Sequence, residues 1–510
     1  MLQFAVPLAA PSVPRADRRS LPVVALVSGV VAALIALLGS WVPSLWGDEA
    51  ASLLSAKRPL SSLFMMLGHV DAVHGTYYVL LHLWIGLVGT SPFAIRLPSA
   101  IAIGIGAAAV VWMCGRLGTM RLAIVAGAVA AVLPRLTYAG EETRAYAFDA
   151  AIAAVLCAVV AEIALRRRRT RRLWVVYAVV LAVGTYMFLY VALMAVAIGV
   201  FLLLIPDLRA QLRAWAVGTA AAAVAASPVI VFALAERGQV AYLAHRTEVT
   251  TQSVLVQMWF WSWPFAVTAW ALIVVAIIAA VLGLRRRRGR TEPVEARVLL
   301  VALSACWLVI PIGLLVASSP IIAGFTARYG TFAALAAAVL MACGTDALGR
   351  RAWWNVVATA VVVALAVPVW MGQRTAYAMN QSDWDAIAVT VETHARARDG
   401  IVFDESSRPS RRTRLAMDTD PDAFTSVADL TLRSSYPHNP TWHDTAYTVT
   451  RAADLGRFAG VDRVWIVEYS IVHGSSRHTD TWGIGSLERL GYHETARYPN
   501  HRSVVYLFTR

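Results

Sequence analysis

Charge is scarce in this sequence: Asp, Glu, Lys and Arg make up 15% of its 510 residues, against about a quarter in soluble domains. Cysteine is scarcer still. The four cysteines, Cys114, Cys157, Cys306 and Cys343, lie in or beside apolar stretches. They suggest no disulfide framework and no cysteine-based metal site. The polar C-terminal part lacks a glycine-rich phosphate loop, which argues against an ordinary nucleotide-binding fold there. No internal repeat is visible. What fills the chain is apolar: 58% of its residues are hydrophobic and the mean hydropathy is +0.61. A single soluble core cannot hide that excess, so lipid is the natural solvent for it.

Acids are outnumbered as well, 31 against 45 basic residues, for a net charge of +14. The arginines form short blocks between apolar stretches: Arg166 to Arg169 with Arg171 and Arg172, then Arg285 to Arg288. The positive-inside rule puts such blocks in cytoplasmic loops, so the basic balance is read as topology and no nucleic acid is expected as a partner. Arg15, Arg18 and Arg19 precede a long apolar run with no small-residue cleavage site behind it. That pattern is read as a retained first helix with a cytoplasmic N-terminus, not a cleaved signal peptide.

Apolar stretches of spanning length occur at 22–45, 93–115, 120–139, 145–165, 173–190, 191–206, 214–235, 256–284, 297–318, 327–348 and 353–372. About eleven transmembrane helices are therefore expected, good to one or two. Starting inside and crossing at each span, every strong basic cluster falls in the cytoplasm, provided residues 76–90 do not cross. That segment, with Tyr77, Tyr78, His82 and Trp84, suits an amphipathic helix in the outer interface. Residues 46–92, 138–144 and 236–255 then face outward. Trp259, Trp261 and Trp263 read as an aromatic belt. After residue 373 the long apolar runs stop. A helix is expected at 382–398, strands at 400–404, 463–469 and 503–509, and a helix at 451–460, together a small α/β domain. The fold class is an α-helical polytopic membrane protein, residues 1–372 with an outward loop 46–92, carrying an extracytoplasmic α/β domain at 373–510. The expected location is the plasma membrane.

The sharpest local feature is Trp46-Gly47-Asp48-Glu49-Ala50, directly after the first span. Adjacent carboxylates beside lipid are costly and mark function more often than not. A simpler account has Asp48 capping a short helix with Glu49 in its first turn. The same outer face carries Lys57, Arg58, His69, Asp71 and His74, the turn Tyr138-Ala139-Gly140-Glu141-Glu142-Thr143-Arg144-Ala145-Tyr146, and Arg328-Tyr329. An outward arginine runs against the charge bias. It is either a snorkelling anchor or a cation for a phosphate.

Five motifs in order carry a resemblance. An Asp-Glu pair follows the first helix. His74-Gly75-Thr76-Tyr77-Tyr78 stands where a His-Pro-Pro-Leu-Tyr-Tyr segment is usual, without the prolines. Phe93-Ala94-Ile95-Arg96-Leu97-Pro98-Ser99, Glu142-Thr143-Arg144-Ala145-Tyr146-Ala147 and Arg328-Tyr329 follow. Over about residues 20–350 the chain resembles GT-C glycosyltransferases of the protein-mannosyltransferase and aminoarabinose-transferase type. The segment around Glu142 looks like the actinobacterial, polyprenyl-phosphate-mannose-dependent enzymes.

The resemblance implies a polyprenyl-phosphate sugar as donor and inversion at the anomeric centre. Asp48 would be the base, with Glu49 and Glu142 orienting it or the acceptor. Arg328, Tyr329 and Arg144, with Lys57 or Arg58, would hold the donor phosphate. His74, Tyr77 and Tyr146 would serve the acceptor and its loop. The acceptor would be a glycan, a lipoglycan or a protein. Asp48, Glu49, His69, Asp71 and His74 offer ligands for a divalent metal, but their spacing matches no standard site and none is assigned. An arabinosyltransferase on the same fold is the rival within the class. A lipid-linked-sugar flippase is the rival outside it, but that would place polar groups near the midplane rather than at the outer helix ends.

Overall fold

A computed structural model describes residues 19–236, 238, 249–286, 294–320, 325–349, 352–470 and 483–510. Arg15, Arg18, Arg287, Arg288, Arg290, Arg350, Arg351 and most of segment 236–255 lie outside the described residues.

The eleven apolar stretches all form helices or bent helix pairs. They are α1 (Leu21–Leu37), α5 (Pro92–Leu117), α6 and α7 (Met120–Val132, Pro134–Gly140), α8 (Tyr146–Arg166), α9 (Arg171–Met187), α10 (Leu193–Leu204), α11 and α12 (Leu212–Ala225, Ser227–Ala235), α13 (Trp263–Arg286), α14 (Ala296–Ser318), a 3₁₀ turn leading into α15 (Ala334–Leu348), and α16 (Ala352–Gln373). Six of these pass as spans on length and composition alone, or eight if each bent pair counts as one. The bends have local causes. Pro134 removes a backbone donor and holds Leu133 extended, turning α7 by 60° from α6. Pro228 opens α12 after a 59° bend. Helices α1 and α5 cross at Gly29 and Gly104, where a Cβ on Gly104 would sit 2.6 Å from the Gly29 carbonyl oxygen.

Between α1 and α5 the chain forms α2 (Gly47–Lys57), α3 (Leu60–Leu67) and α4 (Gly75–Val88). The last is the helix expected at 76–90. At the opposite ends of the long helices, acids pair with the arginine blocks: Glu162 with Arg116 at 2.5 Å and with Arg166 at 3.4 Å, and Asp346 with Arg121 and Arg297, each at 2.8 Å.

The C-terminal region contains α17 (Trp384–His394), α18 (Leu415–Thr419), α19 (Val449–Asp454) and α20 (Ile484–Arg489). Its strands are β1 (Asp399–Phe403), β2 (Val427–Asp429), β3 (Leu432–Ser434), β4 (Thr445–Ala446), β5 (Arg463–Tyr469), β6 (His493–Pro499) and β7 (Ser503–Thr509). Five make one mixed sheet in the order β2-β1-β5-β7-β6, parallel through β2, β1 and β5 and antiparallel beyond. The helix expected over 451–460 stops at Asp454, and Gly456 and Gly460, both at positive φ, continue as turns.

Alternation along β5 splits its buried residues between two cores. Val464 and Ile466 join α19 and α20, while Trp465 and Val467 face the other way. That second core also contains Leu53, Leu54, Leu63, Met66, Tyr77, Tyr78 and Ile387. The sheet and the α2–α4 unit therefore share one apolar interior.

Candidate functional site

Two buried arginines shape the segment that carries Asp48. Arg374, after α16, caps the end of α1, donating to the carbonyls of Leu38 at 3.1 Å and Ala36 at 2.9 Å. Arg96, in the first turns of α5, donates to the Pro43 carbonyl at 2.9 Å and to the Ser40 carbonyl. Its remaining donors clasp Glu49 at both oxygens, at 2.8 and 2.6 Å. The same carboxylate accepts the Thr143 amide at 2.9 Å. Arg96 and Glu49 are completely buried. Glu49 is thus fully occupied as a tie between α2, α5 and the 141–144 turn, which argues against the acceptor-orienting task that resemblance offered it.

The tie brings the 141–144 turn against the start of α2. Arg144 donates to the Asp48 carbonyl and to Ser52 Oγ, both at 3.3 Å, and meets His74 Nε2 at 3.3 Å. Arg328 forms an ion pair with the Asp48 carboxylate. Its guanidinium lies 5.4 Å from the Trp46 ring centre and 6.0 Å from that of Tyr146. Arg328 Nε has no hydrogen-bond partner among the described residues, nor has Glu142 Oε1. Around them stand Tyr146, Tyr329, Phe188 and Tyr190, with Tyr329 at 5.4 Å from Phe188 and 5.5 Å from Tyr190. Phe188 and Tyr190 were not legible as site residues, because an aromatic pair inside an apolar span looks like core.

The electrostatics follow. Burial works to raise the Asp48 pKa, but Arg328 and Arg144 outweigh it and hold the carboxyl below its ordinary value. Glu142 goes the other way: burial pushes it up to about 7, with Arg328 opposing and Asp48 and Glu49 adding to the rise. Burial raises Glu141 to about 8, even with Arg374 at 3.1 Å. His74 is driven down to about 3 by burial and by Arg144, so it faces Arg144 as a neutral imidazole. Two neighbouring carboxyls with divergent pKa values are a usual sign of divided labour.

Sequence reasoning gathered most of this set, but not all of it. Lys57, the chain's only lysine, reaches the Asp418 carbonyl at 3.4 Å. Arg58 is buried and spends its donors on the carbonyls of Asn439, at 3.0 Å, and Thr441. Both point into the C-terminal region rather than toward Asp48, because α2 turns their end of the helix onto α18. Tyr77 packs edge-on to Phe148 at 5.9 Å. Among the described residues no three or more His, Cys, Asp or Glu side chains are grouped to hold a metal. His69 bonds the Met65 carbonyl, and Asp71 accepts from Tyr78 at 3.2 Å. The tryptophan belt is also revised. Trp259 is buried, and Trp261 lies under Arg135 at 4.3 Å, leaving Trp263 as the exposed member.

No protein-family model and no curated protein sequence matches this chain. Solved structures do. ArnT from Cupriavidus metallidurans bound to undecaprenyl phosphate matches with a TM-score of 0.54 and 13% identity, over 94% of this chain and 97% of that one. The apo state of the same protein gives 0.55 over the same shares. The archaeal oligosaccharyltransferase AglB from Archaeoglobus fulgidus, in complex with an inhibitory peptide and a dolichol-phosphate, gives 0.49 and 10% identity, over 95% of this chain and 74% of that one. With its run of apolar helices and the ArnT-like arrangement along nearly its whole length, the chain is a multi-pass membrane protein with the GT-C fold.

Proposed function

We propose that this chain is a membrane glycosyltransferase. It moves a sugar, mannose being favoured, from a polyprenyl-phosphate donor to a glycan, lipoglycan or protein acceptor of the cell envelope. The reaction takes place on the extracytoplasmic face, at the membrane end opposite the arginine blocks. The observation that carries this reading is Asp48, half-buried between Arg328 and Arg144. The acceptor hydroxyl attacks the anomeric carbon and gives its proton to Asp48. The bond from that carbon to the phosphate oxygen breaks, and its electron pair leaves with the polyprenyl phosphate. A phosphate needs cations rather than a general acid. Arg328 meets that need by turning from Asp48 to the donor, which also frees the base.

The lipid tail has a path. An apolar groove of about 460 Å³ runs between α3, α4, α9 and α12, walled by Phe64, Leu67, Val79, Tyr186 and Phe232, and by Gly75 next to His74. ArnT bound to undecaprenyl phosphate supports a polyprenyl donor for a chain of the same fold.

Purified protein in nanodiscs, given polyprenyl-phosphate mannose and polyprenyl-phosphate arabinose in parallel, tests the reading. Transfer or donor hydrolysis with the first and not the second is expected; arabinose alone would assign the rival sugar. Arg328→Ala should raise the apparent donor KM by about tenfold or more, the scale of one charge-assisted contact. An unchanged donor KM removes its phosphate role. Activity should also fall as pH rises through about 7, as the neutral Glu142 carboxyl ionises beside Asp48. Glu142→Gln should flatten that limb, and an unaltered pH profile would assign it elsewhere.

A further inference from the structure

At the membrane end that carries the arginine blocks, Glu162 answers Arg116 and Arg166, Asp346 answers Arg121 and Arg297, and Asp207 answers Arg167 at 3.1 Å. Arg171, the first residue of α9, and Arg213, in the first turn of α11, are left over. Both are exposed, and no ion pair or hydrogen bond ties either to another described residue. Gln211 joins the two helix starts. Its side-chain oxygen accepts from the Thr170 hydroxyl and the Trp174 indole N–H, each at 3.0 Å, and its amide donates to the Arg167 carbonyl at 2.9 Å. Two like charges are thereby held at one place with no anion between them, which is unfavourable until one arrives.

Both arginines line the mouth of an apolar groove of about 1240 Å³ along α9 and α11. Small side chains leave it open: Ala178 and Ala182 on one wall, Ala214, Gly218 and Ala221 on the other. Tyr186 closes the far end, donating to the Ala225 carbonyl at 3.1 Å. From Arg171 to Tyr186 the helix rises about 22 Å, more than half of the ~30 Å hydrocarbon core. An extended acyl chain fits along it, and the volume exceeds the ~300–1,000 Å³ of a drug-sized ligand site, which leaves room for a second chain. Cations at the headgroup level above an apolar trough match an anionic membrane lipid, as do other basic pockets between membrane helices. A polyprenyl phosphate fits less well. Phe188, one residue past α9, stands 5.4 Å from Tyr329 and marks the Asp48 end, so a carrier held by Arg171 and Arg213 would have its phosphate at the wrong end of α9.

We propose that the α9–α11 groove binds an anionic glycerophospholipid from the leaflet on the side of the arginine blocks, its phosphate between Arg171 and Arg213 and its tails along the groove. The test is delipidated full-length protein in detergent, given dioleoyl phosphatidylglycerol, dioleoyl phosphatidylcholine or undecaprenyl phosphate. The apparent Kd is read from the lipid-bound fraction in native mass spectrometry. The two dioleoyl lipids share their tails and differ in net charge. Phosphatidylglycerol is expected to bind about tenfold tighter than phosphatidylcholine, and Arg171→Ala and Arg213→Ala should each weaken it about fivefold. Arg285→Ala removes an equal, exposed charge at the end of α13, outside the groove, and should leave that Kd as it is. Ala221→Phe fills the groove from an exposed wall position and should weaken both dioleoyl lipids. The site is overturned if both arginine variants keep the wild-type Kd for phosphatidylglycerol, or if Arg285→Ala weakens it as much as they do. The anionic headgroup is overturned if phosphatidylcholine binds as tightly, and the choice of lipid if undecaprenyl phosphate binds more tightly than either. An unchanged Kd for both dioleoyl lipids in Ala221→Phe removes the tails from the groove.

Discussion

Asp48→Asn is expected to abolish sugar transfer while the protein still accumulates, folded, in the membrane. Asparagine keeps the shape of the side chain but cannot take the proton of the attacking hydroxyl. Loss of a positioned base costs about 10² to 10⁴ in rate. The fold should survive for a local reason. Arg144 holds α2 through the Asp48 backbone carbonyl and Ser52, and the Glu49–Arg96 tie is untouched. Arg328 loses its counter-ion but keeps the Trp46 and Tyr146 rings beside it. The check is the rate of transfer per molecule of monodisperse protein, with donor binding measured alongside. Full activity in the variant removes Asp48 as the base. Lost activity together with lost donor binding points to a changed phosphate site instead.

Arg96→Met should be among the most destabilising single changes outside the proposed site. It leaves the Glu49 carboxylate completely buried with the Thr143 amide as its remaining partner and frees the Ser40 and Pro43 carbonyls. Removing one member of a buried pair costs about 3–5 kcal/mol. The expected result is a clear drop in melting temperature in detergent and poor recovery of monodisperse protein. Adding Glu49→Gln to Arg96→Met should recover part of the loss, because the uncompensated charge is then gone. Strict additivity of the two changes would mean that the pair is not coupled.

Glu141 and Glu142 add a pH term of defined sign to the same region. Both bind a proton more readily in the folded protein than their ordinary value of 4.5 allows. Their contribution is fully present below that value and is given up as pH rises through about 7 to 8. A melting temperature that rises across that window would contradict it.

The helices were legible because hydropathy over some twenty residues is a strong signal, and β5 and β7 because β-branched and aromatic runs are dense in them. The strands β2, β3 and β4, of two or three residues each, are too short to leave a pattern. Their pairing is set by tertiary contacts. Asp48, Arg144 and Arg328 stood out because each is a charge on the less charged face. Arg58 and Lys57 stood out for the same reason and misled, since sequence carries no record of which way a helix end turns. Arg96 stood out only as a member of a motif, with no role attached, and Arg374 not at all. An arginine inside or at the rim of an apolar span is costly, and that cost was the available signal for Arg96. What it is spent on, carbonyls at the end of α1 and a carboxylate on α2, depends on contacts made across the fold.

The interior shared by the α2–α4 unit and the sheet has a consequence for biogenesis. Leu54 and Trp465 lie in one core, yet one is made near the start of synthesis and the other near its end. At about 5–20 residues per second, the ribosome needs on the order of 20 to 80 seconds to close that gap. Through that interval the part of the α2–α4 face that meets the sheet has no sheet to cover it. Lipid at the adjacent bilayer surface is the cover at hand, so the α2–α4 unit is expected to rest on the membrane first and be lifted into place only when the last strands arrive.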